Sequence, residues 1–253
     1  VIRDSHSSVF VDADNTLWDT DKIFANAQLQ MLEQVESLLA MNAKTDDRLR
    51  FVRILDQKIA EHHHQGLKYP PQLLVGVLTL AISGIDPTRA SRLGRTLSGH
   101  HNAIGEEDTE RLARKFYEEI SRTPELRTGV LEGLRRLQSS GRIIIVVTEA
   151  ARGRTRRTAG IHCVDQYFDK IIEAPKHARL YRRVQRLVGQ SSPGFMVGDQ
   201  LERDIRPAKE AGLTTIFFPS GFKPLWEQTN GPIIPDYTVN SFSEAADIVI
   251  KCK

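Results

Sequence analysis

Two carboxylates, Asp12 and Asp14, stand one residue apart where the apolar run Val9, Phe10, Val11 breaks into a polar turn. Strand side chains alternate between faces, so a fully extended segment puts both acids on one side. Neighbouring carboxylates beside apolar residues repel unless a shared proton or a cation intervenes, and a divalent metal is the better remedy. Two further stretches carry candidate chemistry: the run RIIIVVT ending at Thr148, and GFMVGDQLERD, which holds Asp199 and Asp204, with Lys176 between the two stretches. Phosphoryl transfer needs an in-line nucleophile, a cation for the developing charge and an acid for the departing alkoxide, and these residue types supply one of each. Each piece alone has a plainer explanation. Asp199 and Asp204 read as a Gly-Asp turn followed by an acid at a helix N-terminus, Thr148 as a helix cap, and Lys176 competes with Lys170 as one of many surface lysines.

The elements that must position these residues follow from periodicity. After residue 125 helices and strands alternate: helix Val130 to Ser139, strand Ile143 to Val147, a basic helix, strand Phe168 to Ile172, helix Ala178 to Val188, strand Gly194 to Val197, helix Leu201 to Ala211, strand Thr214 to Phe218. A short strand at Tyr237 and a helix from Ser243 to Ile250 close the chain. Alternation of this kind predicts a mainly parallel sheet covered on both faces, with its chemistry at the carboxyl ends of the strands. Between residues 20 and 125 the pattern is helical throughout. Phe24, Ala27, Met31, Val35 and Leu38 mark one helix behind the cap candidates Thr20 and Asp21, and Leu49, Val52, Leu55 and Ile59 mark a second. Pro70 and Pro71 open a third, apolar on most sides, and two more run from Pro87 to Leu97 and from Glu106 to Ser121.

The set Asp12-x-Asp14-x-Thr16, Thr148, Lys176 and Gly198-Asp199 with Asp204 resembles the haloacid dehalogenase-like (HAD) hydrolase superfamily, in its phosphatase-type majority. The resemblance covers residues 8–22 and about 125–250. It implies an α/β fold with a Rossmann-like parallel-sheet core, formed by residues 1–19 and 125–253, and an inserted α-helical cap at 20–124 that closes over the site and selects substrate. It implies that Asp12 attacks phosphorus and becomes an aspartyl-phosphate, and that Asp14 protonates the leaving group and then activates water. Mg2+ is the implied cofactor, held by the side chains of Asp12 and Asp199, the backbone carbonyl of Asp14, and Asp204 through water or as an anchor. Asn15, Thr148, Glu149 and Lys176 are placed around the phosphate. Two departures stand out. Relatives often carry asparagine where this chain has Glu149, whose charge opposes phosphate binding unless it points away or pairs with Arg152 or Arg154. The lysine is usually followed by proline, and here by His177. A dehalogenase is disfavoured because such relatives lack an acid at the place of Asp14; a phosphomutase shares the same acids, and a silent binding protein shares the fold.

Composition bounds the rest. The net charge of +3 is mild, which suits a small phosphorylated substrate. The arginines at 152, 154, 156 and 157 read as a solvated helix face rather than a nucleic-acid groove, since no aromatic residues that stack bases are interleaved. Adjacent histidines at 62, 63 and 64 read as a helix end, His100, His101 and Asn102 as a loop of the helical part, and Trp226, after Pro224, as a loop anchor. Two cysteines, Cys163 and Cys252, cannot build a disulfide framework and fit a reducing cytoplasm. No apolar run reaches the length of a membrane span, and no secretory signal is expected.

Overall fold

A computed structural model describes residues 8–64, 66–96, 103–189, 193–222 and 233–252. The chain forms two compact units, Val1–Asp21 with Thr123–Lys253, and Lys22–Arg122. His100, His101, Asn102, Pro224, Trp226 and the end of the helix expected to reach Leu97 lie outside the described residues.

The first unit is built on six parallel strands: β1 (Ser8–Val11), β2 (Ile143–Thr148), β3 (Lys170–Glu173), β4 (Phe195–Gly198), β5 (Thr214–Phe217) and β6 (Tyr237–Thr238). Their order is β3-β2-β1-β4-β5-β6. Val11 lies opposite Val146 of β2 on one side and Val197 of β4 on the other. Strand β1 is buried on both faces, as a central parallel strand must be when helices cover each side. Val9 and Val11 pack with Leu134, Val146, Phe242 and Val249, whereas Phe10 points the other way onto Tyr181, Met196 and Leu213. The helices supplying these faces are α6 (Val130–Ser139), α7 (Arg152–Ile161), α8 (Ala178–Leu187), α9 (Arg206–Glu210) and α10 (Phe242–Lys251). The strand order reverses direction of growth beside β1, and that is where open α/β sheets leave a crevice at the carboxyl ends.

Two elements depart from the sequence reading. The helix expected over Leu201 to Ala211 is instead a π-helical turn, Leu201–Ile205, followed by α9. Arg206 N–H donates to Leu201 O, five residues back. Pro207 is the cause: it has no N–H for an α-helical bond to Arg203 and is tolerated only in the first turn of a new helix. Strand β3 starts two residues later than expected because Asp165–Tyr167 form a 3-10 turn and Asp169 turns its carboxylate onto Ile144 N at 2.8 Å.

The second unit is helical among its described residues: most of α1 (Thr20–Leu39), then α2 (Arg48–His62), α3 (Pro71–Ile82), α4 (Pro87–Thr96) and α5 (Glu106–Ile120), with a 3-10 turn at Gly66–Lys68. Its core is Leu32, Val35, Leu55, Ile59, Leu74 and Leu78, all at most 1% exposed, each contributing about 2 kcal/mol by burial. Leu38, expected on the buried stripe, is 41% exposed, and Leu32 packs in its stead. The second helix ends at His62, with the His63 and His64 ring centres 4.4 Å apart beyond it and their planes tilted by 34°. Among the described residues no helix is long and apolar enough to cross a membrane.

Candidate active site

Two strand ends, a π-helical turn and one helix start converge on a single acidic cluster. Asp12 directly follows β1 and is tied to β4 by its own N–H, which donates to Val197 O at 3.0 Å. Asp199 directly follows β4, and Asp204 comes back from the π-helical turn to accept from Gln200 N at 3.0 Å through Oδ2. One oxygen from each of Asp12, Asp199 and Asp204 lies within 4.8 Å of the others, and all three residues are buried. Lys176, two residues before α8, inserts its ammonium here, donating to Asp12 Oδ1 and, at 2.6 Å, to Asp204 Oδ1. Lys170 instead stands exposed at the start of β3. His177 has a local role: its Nδ1 accepts from Leu180 N at 3.1 Å and caps α8.

The electrostatics of the cluster are lopsided. Among the described residues the three buried carboxylates share the Lys176 ammonium, which pairs with Asp12 and Asp204, and the Arg127 guanidinium, whose charge acts on Asp199. Burial pushes the Asp12 carboxyl up to about 7 despite the opposing pull of Lys176. Burial, reinforced by Asp12 and Asp204, raises Asp199 well above the ordinary carboxylate range. Burial works against the Lys176 ammonium too, but Asp12 and Asp204 outweigh it and hold its pKa well above that of a free lysine. The second oxygen of Asp12 accepts from Thr16 Oγ1 at 3.2 Å, and Asp199 Oδ2 from Ser220 Oγ at 2.7 Å. Asp199 Oδ1 is buried with no hydrogen-bond partner among the described residues. A buried carboxylate oxygen in that condition calls for a cation.

The Asp14 carboxylate is not one of the three, and the extended segment that would have aligned it with Asp12 is absent. The strand stops at Val11, and Leu17 N donates back to Ala13 O at 2.8 Å, so the doublet lies in a turn rather than an extended segment. Its Oδ1 accepts from Trp18 Nε1 at 3.0 Å and Thr20 Oγ1 at 2.7 Å. Asn15 occupies the left-handed region at φ 60°, and its side-chain oxygen takes Asp21 N at 2.6 Å, at the start of the helix that follows. Thr148 ends β2 beside β1; its hydroxyl accepts from Ala150 N at 3.0 Å and so closes a turn rather than capping α7. Glu149 is exposed and pairs with Arg203 of the π-helical turn at 3.4 Å, a partner that the sequence reading did not name. Arg152 uses its backbone N–H on Glu173 instead.

Two residues escaped the sequence reading. Ser220 lies three residues past β5, so its place after a strand end was the available signal. Arg127 donates to the carbonyls of Asn15, Phe218 and Pro219, and no spacing relation in the sequence points to it.

Comparison with known proteins places this geometry. Over 101 residues the chain is 30% identical to the glyceraldehyde 3-phosphate phosphatase of Methanocaldococcus jannaschii, a stretch amounting to 37% of this chain and only 42% of that relative's length. The magnesium-bound HAD-hydrolase YfnB of Bacillus subtilis superposes with a TM-score of 0.60 at 16% identity, covering 96% of this chain and 98% of its own. A predicted phosphoglycolate phosphatase of Haemophilus somnus gives a TM-score of 0.59 at 17% identity, with 96% and 98% covered. At such identities the likeness is one of fold. The family model for haloacid dehalogenase-like hydrolases matches residues 7–212, most of the sequence, and on that ground the chain belongs to the haloacid dehalogenase-like hydrolases.

Proposed function

We propose that this hydrolase is a Mg2+-dependent phosphatase for a small phosphorylated metabolite, working through an aspartyl-phosphate on Asp12. The observation that carries the reading is the cluster of Asp12, Asp199 and Asp204, short of positive charge and with Asp199 Oδ1 buried and unpaired. The residues present fit a hard divalent cation, since every available donor is an oxygen. Asp12 and Asp199 would hold it with the backbone carbonyl of Asp14. Asp204 is the anchor, because Lys176 and Gln200 N already engage its two oxygens. When bound, the cation supplies charge stabilisation to the transferring phosphoryl group.

The chain's own residues do the rest. A carboxylate oxygen of Asp12 forms a bond to phosphorus as the ester P–O bond breaks. Asp14 gives a proton to the departing alkoxide, then takes one from the water that hydrolyses the aspartyl-phosphate. Its present hold on Trp18 and Thr20 keeps it apart from the three carboxylates, and a shift of that side chain brings it to the leaving group. Lys176 offsets negative charge on Asp12 and on the phosphate, while Thr148, Asn15 and the N–H groups after β2 receive phosphate oxygens. Arg203 draws off the charge of Glu149 at this corner. The helical unit serves as the cap that selects substrate. The name of the Methanocaldococcus relative, a phosphatase of a three-carbon phosphate ester, supports a substrate of this size.

The test is Asp12→Asn, assayed with p-nitrophenyl phosphate and Mg2+. Phosphate release should vanish while the melting temperature is retained; undiminished hydrolysis removes Asp12 from its role. A wild-type protein without Mg2+-dependent turnover on a broad panel of phosphate esters returns the chain to a binding role.

A further inference from the structure

The acidic cluster depends on two loops far apart in sequence, and a single side chain reaches both. Arg127 Nη1 donates to the carbonyl of Asn15 and, at 3.1 Å, to Phe218 O, while Nη2 donates to Pro219 O at 2.7 Å. Its guanidinium carbon lies 3.5 Å from the centre of the Phe218 ring. The backbone behind it is fixed as well: Arg127 N donates to Leu17 O at 3.0 Å, and Asp19 N to Glu125 O at 2.8 Å, pairing the chain that leaves the sheet with the chain that returns.

What these carbonyls belong to is the informative part. Asn15 follows Asp14 directly and turns the loop through the left-handed region at φ 60°, so the position of its carbonyl is coupled to that of the acids before it. Pro219 precedes Ser220, whose hydroxyl occupies Asp199 Oδ2 and leaves Oδ1 as the open oxygen. The planar fork of a guanidinium can engage three carbonyls in fixed directions, whereas an ammonium is a point charge on a flexible stem.

We propose that Arg127 is a positioning residue: it sets the separation between the Asp12–Asn15 loop and the Phe218–Ser220 loop, and through Ser220 it determines which oxygen Asp199 offers to the cation. Its kinetic consequence rests on the phosphatase reading, and its consequence for cation binding does not.

The experiment titrates Mg2+ calorimetrically into wild type, Arg127→Lys, Arg127→Met, Ser220→Ala and the Arg127→Met/Ser220→Ala double variant, without substrate. It then measures kcat and KM on p-nitrophenyl phosphate. Loss of a group that orients a metal ligand costs about 10–100-fold in affinity or activity, and that loss is expected in both kcat and Mg2+ affinity for Arg127→Lys and Arg127→Met alike. KM is expected to change with Arg127→Lys and Arg127→Met, whose side chain holds the Asn15 loop, and to stay within about 3-fold in Ser220→Ala, which touches Asp199 alone. In the double variant the losses should fall short of the product of the singles, since both act on Asp199. Wild-type Mg2+ affinity and kcat in folded Arg127→Lys overturn the proposal, as do losses that multiply. If Arg127→Met does not fold, Arg127→Lys decides. A wild type that binds Mg2+ but hydrolyses no ester defeats the phosphatase reading alone, and the affinities still judge Arg127. A wild type that binds no Mg2+ defeats both.

Discussion

Gly198 and Asp204 are packed so closely that no side chain fits between them: a Cβ placed on Gly198 falls 2.4 Å from Asp204 Cβ and 2.6 Å from Asp204 Oδ2. Asp204 is in turn one of the two carboxylates that hold Lys176. The contact therefore links the end of β4 to the ammonium that serves Asp12. Gly198→Ala should push Asp204 away, loosen Lys176 and destabilise the fold by about 1–3 kcal/mol, the usual penalty of overpacking. Thermal unfolding and turnover measured together check it; a variant equal to wild type in both contradicts the contact.

Asp14 stands outside the three-carboxylate cluster and accepts from Trp18 and Thr20, and in the proposed reaction it serves the leaving group rather than acting as the nucleophile. A general acid contributes about 10²–10⁴-fold, and only where the departing group needs a proton. Asp14→Asn should therefore depress kcat on an alkyl phosphate far more than the first step on p-nitrophenyl phosphate, whose phenolate leaves unaided. Burst kinetics on the aryl ester and steady-state rates on the alkyl ester separate the two. Equal losses in both first steps place Asp14 elsewhere in the reaction.

The lack of positive charge around Asp12 has a consequence for stability. The Asp12 carboxyl lies at about 7 in the folded chain against an ordinary 3.8, so between those values the folded state binds more protons than the unfolded chain. Stability from this group is thus lost as the pH rises through that window. Lys176, raised above its ordinary value, stays charged throughout and adds no slope there. In cation-free protein the melting temperature should fall from pH 5 to pH 8, and Mg2+ should raise it more at pH 8 than at pH 5. An Mg2+ effect independent of pH contradicts the charge imbalance.

How much of this could be read from residues alone depends on whether the signal is local. The sheet was legible because each central strand is a short apolar run, buried on both faces, ending in a polar residue; Val9 to Asp12 and Phe195 to Asp199 are the clearest. The resemblance pointed to Lys176 over Lys170, and the geometry supplies the reason: Lys176 lies past the end of β3, where the chain turns over the carboxyl ends of the strands. The direction of Asp14 was not legible, because the turn that redirects it hinges on a left-handed Asn15 where no glycine announces it. The partner of Glu149 was not legible for a related cause. Arg152 and Arg154 are near in sequence, but the π-helical turn brings Arg203 closer, and that turn arises from Pro207 and not from any apolar period. Arg127 reaches a carbonyl 112 residues before it at Asn15 and one 92 residues after it at Pro219, a relationship that no periodicity encodes.

The helical unit holds an ionisable pair of its own. Tyr69 Oη donates to Asp56 Oδ1, and burial, opposed by Tyr69, Arg53 and Gln28, pushes the Asp56 carboxyl up to about 6. With the folded value above the unfolded 3.8, this group's contribution to stability also declines as the pH rises, here between about 4 and 6. The shift bounds the loss at about 3 kcal/mol. Asp56→Asn keeps an acceptor for Tyr69 and removes the ionisation. The variant should therefore gain on wild type in urea unfolding free energy as the pH rises from 4 to 7, by up to that amount, while the slope due to Asp12 cancels in the difference. Tyr69→Phe removes the bond that favours the charged form, which should move the same decline to higher pH. Parallel profiles for wild type and Asp56→Asn show that Asp56 titrates as it does in water, and the pair then has no part in the pH dependence.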